Sequence, residues 1–283
     1  SFIPEGGVAG DDKPGIAPLR YASRSEPMQY KPRGLITQTR VRTEVDAGDL
    51  ERVIDNIRRL RKQVDVVVVA FHWGVIWVPR VIADYQVTVA HACIDAGADM
   101  ILGHHAHVPK AIEMYKGKAI FYSLSNFCMT KPGRSHKWNE KPWLHGALMN
   151  HADQDPEMPL LPYGKDAKRT LMAKAILTKK GVKEVSFLPM MIDKLYRPEV
   201  LKKGDPRFDD MVRYMERAHA EDGCPWYPIA RHMLGLYHGE RGGRLWRQVW
   251  SNHKLKPLPP HEVLAIAREA LQRGAEKPDD HST

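Results

Sequence analysis

Three short apolar runs set the pattern of the chain, and each breaks off at polar residues. VDVVVVAF ends at His72, ADMIL ends at Gly103, His104, His105 and His107, and KAIFYSL runs into Ser123 and Asn126. The runs are rich in Val and Ile and do not alternate, as in strands buried on both faces. Between the first two, Ile82, Tyr85, Val89 and Cys93 recur at three- or four-residue spacing. That spacing marks one face of a helix over residues 81–98, with Gly97 as its stop. Strand, crossover helix and strand predict two parallel strands. Their carboxyl ends then share one sheet edge, where open α/β folds build their sites. His72 is therefore predicted to meet the 104–107 cluster in space.

The flanking segments carry weaker patterns. Leu50, Val53, Ile54, Ile57 and Leu60 form an apolar stripe over residues 46–63, and Asp46 and Asp49 suit the start of that helix. Residues 1–45 are rich in Gly, Pro, Arg and Ser and read as a long irregular connection, with GIAPLRY and LITQTRV as short edge strands. Residues 128–168 read as a loop region suited to a lid or a substrate wall, with Trp138, Trp143, His136, His145 and His151. A hairpin follows, with strands at 170–178 and 184–190 and a turn at Lys180-Gly181. Helices are predicted at 209–220, 229–237 and 260–273, and a charged, disordered tail from Gly274. The pattern is α/β, with one domain over residues 1–200 and a helical extension over 201–283.

The chain has 283 residues, 43% hydrophobic and 27% charged, an ordinary globular composition. A net charge of +9 and a pI near 9.4 favour contact with a phosphate or an acidic polymer. There is no nucleic-acid motif and no basic patch with interleaved aromatics. Cys93, Cys128 and Cys224 are isolated, which excludes a disulfide framework and a Cys-rich zinc site. Cys93 falls on the predicted helix face and reads as a small core residue. No apolar run reaches the length of a transmembrane span. The first residue is Ser1 rather than Met, which reads as an interior start with any targeting segment lost upstream. No localisation follows, neither bacterial cytoplasm nor cell envelope.

Neutral imidazole is the commonest protein ligand for a borderline divalent metal. His72 with His105 and His107 would place three nitrogen donors on one rim. On an extended segment His105 and His107 leave the same face and His104 the other. A polar loop with satisfied histidines is the ordinary alternative. His136, His145 and His151 have no fixed spacing and read as surface or substrate-facing residues. A two-metal site also needs carboxylate or Asn oxygens to neutralise cations about 3.5–4 Å apart. Asp65, Asp95 and Asp99 are candidates by residue type only, and capping and solvation account for Asp95 and Asp99.

HWG at residues 72–74, Pro79, Gln86, DAGAD at 95–99, GHHAHV at 103–108 and YSLSNF at 122–127 together resemble the CapA-type family of poly-γ-glutamate capsule synthesis. The resemblance covers roughly residues 15–201, including FLPMMID and Arg197-Pro198. That family is similar to the calcineurin-like metallophosphoesterases. It implies a four-layer αββα sandwich whose strand ends hold two divalent ions, with Mn, Zn and Fe not distinguished. On the family pattern His72, His105 and His107 are metal ligands, and His104 is free to donate a proton to a leaving group. Asn126, Ser123 and Trp73 fall behind the ligands or against substrate. The family has Gly where Ser125 stands. Its early Gly-Asp motif, its carboxylate- or Asn-bearing segment and its Asn-Asn-His motif do not occur here. The chain thus resembles the carboxyl-terminal part of such a protein, with the amino-terminal half missing. The implied activity is metal-dependent hydrolysis of a phosphoester. The alternative is a non-hydrolytic capsule-assembly component that binds an acidic polymer or a membrane synthesis complex. Alone, the chain is expected to leave the apolar faces of residues 66–71 and 101–102 uncovered.

Overall fold

The computed structural model describes residues 8–9, 12–27, 39–79, 81–128, 155–158, 161, 163–221, 241–255, 258 and 260–276. The apolar runs become a four-stranded sheet. Its strands are β3 (Val68–His72), β4 (Met100–His104), β5 (Ile112–Tyr115) and β6 (Lys118–Phe121), in the order β3-β4-β6-β5. β3 and β4 are parallel, with Val68 opposite Met100 and His72 opposite His104. β6 runs parallel to β4, and β5 antiparallel to β6. β5 escaped the pattern because it is four residues long. Its signal is the Lys116-Gly117 turn, where φ values of 47° and 78° fit the two-residue hairpin loop that matches strand twist. The third run leaves the sheet at Phe121, so Ser123 and Asn126 lie on the loop beyond.

The stripe over 46–63 forms α1 (Ala47–Arg61), and the Asp46 side chain accepts from Asp49 N at 2.9 Å as its N-cap. The crossover is α2 (Asp84–Asp95), shorter than the sequence predicts. Residues 81–83 stay outside it, and Lys110 Nζ donates to the carbonyls of Val78 and Val81. Cys93 is fully buried, as expected.

Residues 1–45 are not all irregular. β1 (Tyr21–Pro27) and β2 (Thr39–Val45) form an antiparallel ribbon, of which GIAPLRY supplies only Tyr21 and LITQTRV only the start of β2. Cross-strand charge, not apolar alternation, accompanies this pairing. Arg24 contacts Glu44 at 2.9 Å and Arg42 contacts Glu26 at 3.4 Å.

The predicted hairpin is β7 (Arg169–Thr178) and β8 (Gly181–Ile192), bulged at Ile176/Leu177 and extended by β9 (Pro198–Val200). Helices α3 (Pro206–Glu221), α4 (Gly243–Trp250) and α5 (Pro260–Glu276) follow. The sequence reading had no α4. α5 continues past Gly274, where the tail was expected to begin. Residues 229–237 and 277–283 lie outside the described residues.

Two apolar clusters cover the four-stranded sheet. Ile57, Tyr85, Val89, Cys93, Ile101 and Ile120 join it to α1 and α2. Met100, Ile112, Phe121, Leu171, Met191 and Met211 join it to the β7–β9 sheet and α3. Ile101 is therefore fully buried, against the expectation of an uncovered face, because the flanking helices already supply its partners. The expectation fits β3 better. Asp99 N donates to Val67 O at 2.7 Å and Trp73 N to His104 O at 3.1 Å, so alternate residues beginning with 67 turn their main chain towards β4. The N–H and C=O groups of Val68, Ala70 and His72 face an edge that no strand among the described residues pairs, and Val68 is 42% exposed. Among the described residues no helix is long and apolar enough to cross a membrane.

Candidate metal centre

The parallel register brings the strand-end histidines together. His72 Nε2 lies 2.8 Å from His105 Nδ1, and the two rings meet edge-on with centroids 4.5 Å apart. The centroids of His105 and His107 are 6.4 Å apart. The geometry that achieves this is not the extended segment predicted. φ is 94° at His105 and 57° at His107, so the chain turns after His104 through left-handed conformations. Such strain is uncommon away from functional sites. His104 ends β4 and is exposed.

Several of the non-histidine motif residues have a packing reason. Trp73 is 2% exposed, stacks on Phe71 at 4.5 Å and donates from Nε1 to Tyr122 O at 3.0 Å. It lies beneath the rim, in the supporting layer. A Cβ on Gly103 would fall 2.5 Å from that indole nitrogen and 2.2 Å from Tyr122 O, so only glycine lets Trp73 seat there. Gly74 has φ of 93°, donates to the Tyr85 hydroxyl at 2.7 Å and abuts the Gln86 amide, whose Oε1 accepts from Ala83 N at 3.0 Å. Ser123 is buried and its hydroxyl accepts from Ser125 N at 3.1 Å.

Asn126 is 8% exposed and holds the most connections at the rim. Its Oδ1 is 2.6 Å from His107 Nδ1, and its Nδ2 donates to Ala167 O at 2.9 Å and His107 O at 3.3 Å. Thr170 Oγ1 donates to Asn126 O. Tyr163 stacks on His107 at 3.9 Å, and Trp77 on Tyr163 at 5.7 Å. Sequence reasoning missed both aromatics. Tyr163 sits in a loop without periodicity.

Ser125 adopts φ of 70°, and its Oγ is buried with no hydrogen-bond partner among the described residues. This explains the family glycine at that position. We expect Ser125→Gly to stabilise the chain by about 1 kcal/mol, because it relieves a left-handed backbone and an orphan hydroxyl. Urea denaturation would read this as a higher midpoint at unchanged slope. A lower midpoint would mean that Ser125 makes a contact these residues do not contain.

The histidines are held neutral. Burial pushes the His105 ring down to about 4, reinforced by His72 and His107. Burial lowers His107 as well, although its bond to Asn126 opposes the shift. His72 and His104 keep surface in water, yet crowding of their rings by protein atoms lowers them too.

The carboxylates do not join them. Asp99 lies at the opposite end of β4, where Arg61 binds it at 2.7 Å and Lys118 at 2.5 Å. Burial alone would raise its carboxyl, but Lys118, Val67 N–H and Arg61 outweigh that and hold it below the ordinary value. Asp95 binds Lys116 at 2.6 Å, Asp84 accepts from Thr43 N at 3.3 Å, and Asp65 is exposed before β3 begins. Among the described residues no three His, Cys, Asp or Glu side chains form a ready ion cage. Tetrahedral ligands on one ion stand about 3.4 Å apart, given metal–nitrogen distances of about 2.05 Å. The 2.8 Å His72–His105 contact is closer than that, so the fit is to a nitrogen donor set that must part to admit an ion. His136, His145 and His151 lie outside the described residues. Beside His72 a groove of 240 Å³ runs under Ile16, Leu19, Val69 and Phe71.

A family model for the bacterial capsule synthesis protein PGA_cap matches residues 14–131. The PGA biosynthesis protein CapA of Bacillus subtilis (strain 168) is 48% identical over 80 residues, 28% of this chain and 21% of that one. The capsule biosynthesis protein CapA of Bacillus anthracis is 48% identical over 63 residues, 22% of this chain and 15% of that one. A probable polyglutamine synthesis accessory protein of Mycobacterium tuberculosis (strain ATCC 25618 / H37Rv) is 32% identical over 126 residues, 44% of this chain and 27% of its own length. The matches thus span between about a seventh and a quarter of these relatives. The segment matched by the family model contains His72, Gly74, Gln86, Gly103, His105, His107 and Asn126, the same residues that interlock at the end of β3 and β4. Residues 14–131, which carry that geometry, are thus the part of the chain that is similar to the CapA-type proteins of bacterial capsule synthesis.

Proposed function

We propose that the chain supplies the histidine side of a divalent-metal site in a hydrolase of the calcineurin-like metallophosphoesterase type, acting in capsule or poly-γ-glutamate synthesis. The observation that carries this reading is the meeting of His72, His105 and His107, three neutral imidazoles, on one sheet edge. The reading places the two sheets and their flanking helices in a four-layer αββα sandwich, with residues 1–200 as its carboxyl-terminal part and 201–283 as an extension. The oxygen ligands of a two-ion centre would come from outside the described residues. When bound, the divalent ions would polarise a phosphoester and lower the pKa of a water.

The chain's own residues do the rest. Asn126 and Tyr163 hold the His107 ring from its edge and its face. His104, exposed beside the ligands and with its pKa lowered by burial, would serve a leaving oxygen as a hydrogen-bond donor when neutral, and as a proton donor only once it is itself protonated. The apolar groove under Phe71 limits water on one flank of His72. Dialysis of the chain against Zn²⁺ or Mn²⁺, followed by elemental analysis, tests the site. At most one tightly held ion per chain is expected, with little phosphodiester turnover. No retained ion would overturn the metal reading, and two held ions with efficient turnover would mean that the oxygen ligands are already in this chain.

A second reading takes its support from the relatives' printed names and from the net charge of +9. In it the protein is a non-hydrolytic accessory component that binds an acidic polymer or a membrane synthesis complex. Salt-sensitive binding of poly-γ-glutamate by metal-free protein would favour it.

A further inference from the structure

We infer that Asn126 is a positioning residue that fixes the proton of His107 on Nδ1 and so presents the Nε2 lone pair at the rim. This rests on the metal reading only for its purpose, because the tautomer follows from the hydrogen bonds alone. The Asn126 amide nitrogen faces two main-chain carbonyls, Ala167 O at 2.9 Å and His107 O at 3.3 Å. Carbonyl oxygens only accept, so the NH₂ group must point at them. The flipped amide would set Oδ1 against both oxygens and is excluded. Oδ1 is thereby turned to His107 Nδ1 at 2.6 Å, and an amide oxygen also only accepts. Nδ1 must carry the hydrogen. A neutral imidazole has one N–H, so Nε2 is left as the acceptor.

The same amide does a second task. Through Ala167 it ties the β6–β7 side of the site to the 3₁₀ turn Lys165–Lys168, just after Tyr163, whose ring covers His107 at 3.9 Å. One side chain thus sets the tautomer of His107, its ring plane and the wall against it. Outer partners of this kind commonly change metal affinity by about 10–100-fold when removed.

The experiment is nitrogen-15 NMR of the histidine side chains in the metal-free chain, with His107 assigned by its loss in His107→Gln. The expected result is a neutral ring protonated at Nδ1 in the wild type. In Asn126→Ala the ring should become a mixture of tautomers, and Zn²⁺ affinity should fall by about 10–100-fold. Asn126→Asp keeps an acceptor for Nδ1–H but loses both amide donors, so it should restore the Nδ1–H signal even though the loop is less well held. A wild-type His107 protonated at Nε2 would overturn the inference without any variant, as would an unchanged tautomer in a folded Asn126→Ala. If the Nδ1–H tautomer is found but Zn²⁺ leaves every imidazole signal in place, the inference stands and the metal reading fails.

Discussion

On the proposed metal reading, replacing His107 by alanine is expected to remove most of the divalent-ion binding, by about a hundredfold or more. The loss should exceed the 10–100-fold typical of an outer partner, because a donor itself is removed. His107 is the most firmly placed of the three rings, held through Nδ1 by Asn126 and stacked under Tyr163. His72 and His105 contact each other and must separate to admit an ion, so they alone form a weak site. Acid should weaken binding in the wild type, because a ligating imidazole must be neutral. The folded rings are lowered from the ordinary 6.5, with His105 at about 4. Binding should therefore survive below the pH at which free imidazole would let go. Stability changes in the same direction. The unfolded chain binds extra protons between 6.5 and the folded values, so stability is lost as pH falls through that window. Isothermal titration with Zn²⁺ at several pH values measures the affinity. Wild-type affinity in folded His107→Ala would remove His107 from the site.

Asp99→Ala is expected to be the most destabilising single change at the other end of the sheet, at about 3 kcal/mol. The carboxylate is 4% exposed and accepts from Val67 N at 2.9 Å while it binds Arg61 and Lys118. It therefore joins α1, the approach to β3, and β6. Its removal leaves a buried N–H and two cations without their common anion, a loss of about 3–5 kcal/mol for a wholly buried pair. The estimate lies at the low end because both cations reach water. For a chain of this size that is a fall in Tm of roughly 6–12 °C. Because the Asp99 carboxyl is depressed in the folded state, its contribution is present above the ordinary 3.8 and fades as pH falls through the folded value. Asp95→Ala is the control. Its pair with Lys116 is exposed on both sides, and little change is expected. Equal melting of the two variants would refute the assignment of Asp99 as the joint.

The sheet was legible where packing dominates the choice of residue. Met100–Gly103 is packed against helices and neighbouring strands, whereas Val69 and Phe71 of β3 pack on the helix side while Val68 and Ala70 stay exposed. The unbroken apolar runs therefore record strand pairing in both and burial on both faces only in β4. The convergence of the strand-end histidines was legible because parallel strands in register put His72 level with His104. What escaped was set by polar pairs and by backbone shape. The β1–β2 ribbon carries Arg24, Glu26, Arg40, Arg42 and Glu44 in place of an apolar alternation. His105 and His107 are brought near each other by left-handed turns that no two-residue spacing encodes. Tyr163 reaches His107 from 56 positions away in sequence, through a loop with no period. The Ser125 substitution was visible as a departure from the family pattern, but its meaning needed the φ angle.

The open edge of β3 gives the three imidazoles unequal mechanical compliance. β4 is gripped along both sides, by β3 and β6, and it carries the chain directly into His105 and His107. Among the described residues β3 is gripped along one side only, and His72 is its last residue. A strand bonded on one edge bends more readily than one bonded on two. On the proposed metal reading His105 and His107 would therefore act as the fixed jaw of the site and His72 as the movable one. An ion of any radius would be accommodated chiefly by displacement of His72, and a further strand laid against β3 would stiffen that jaw and narrow the range of ions the rim accepts.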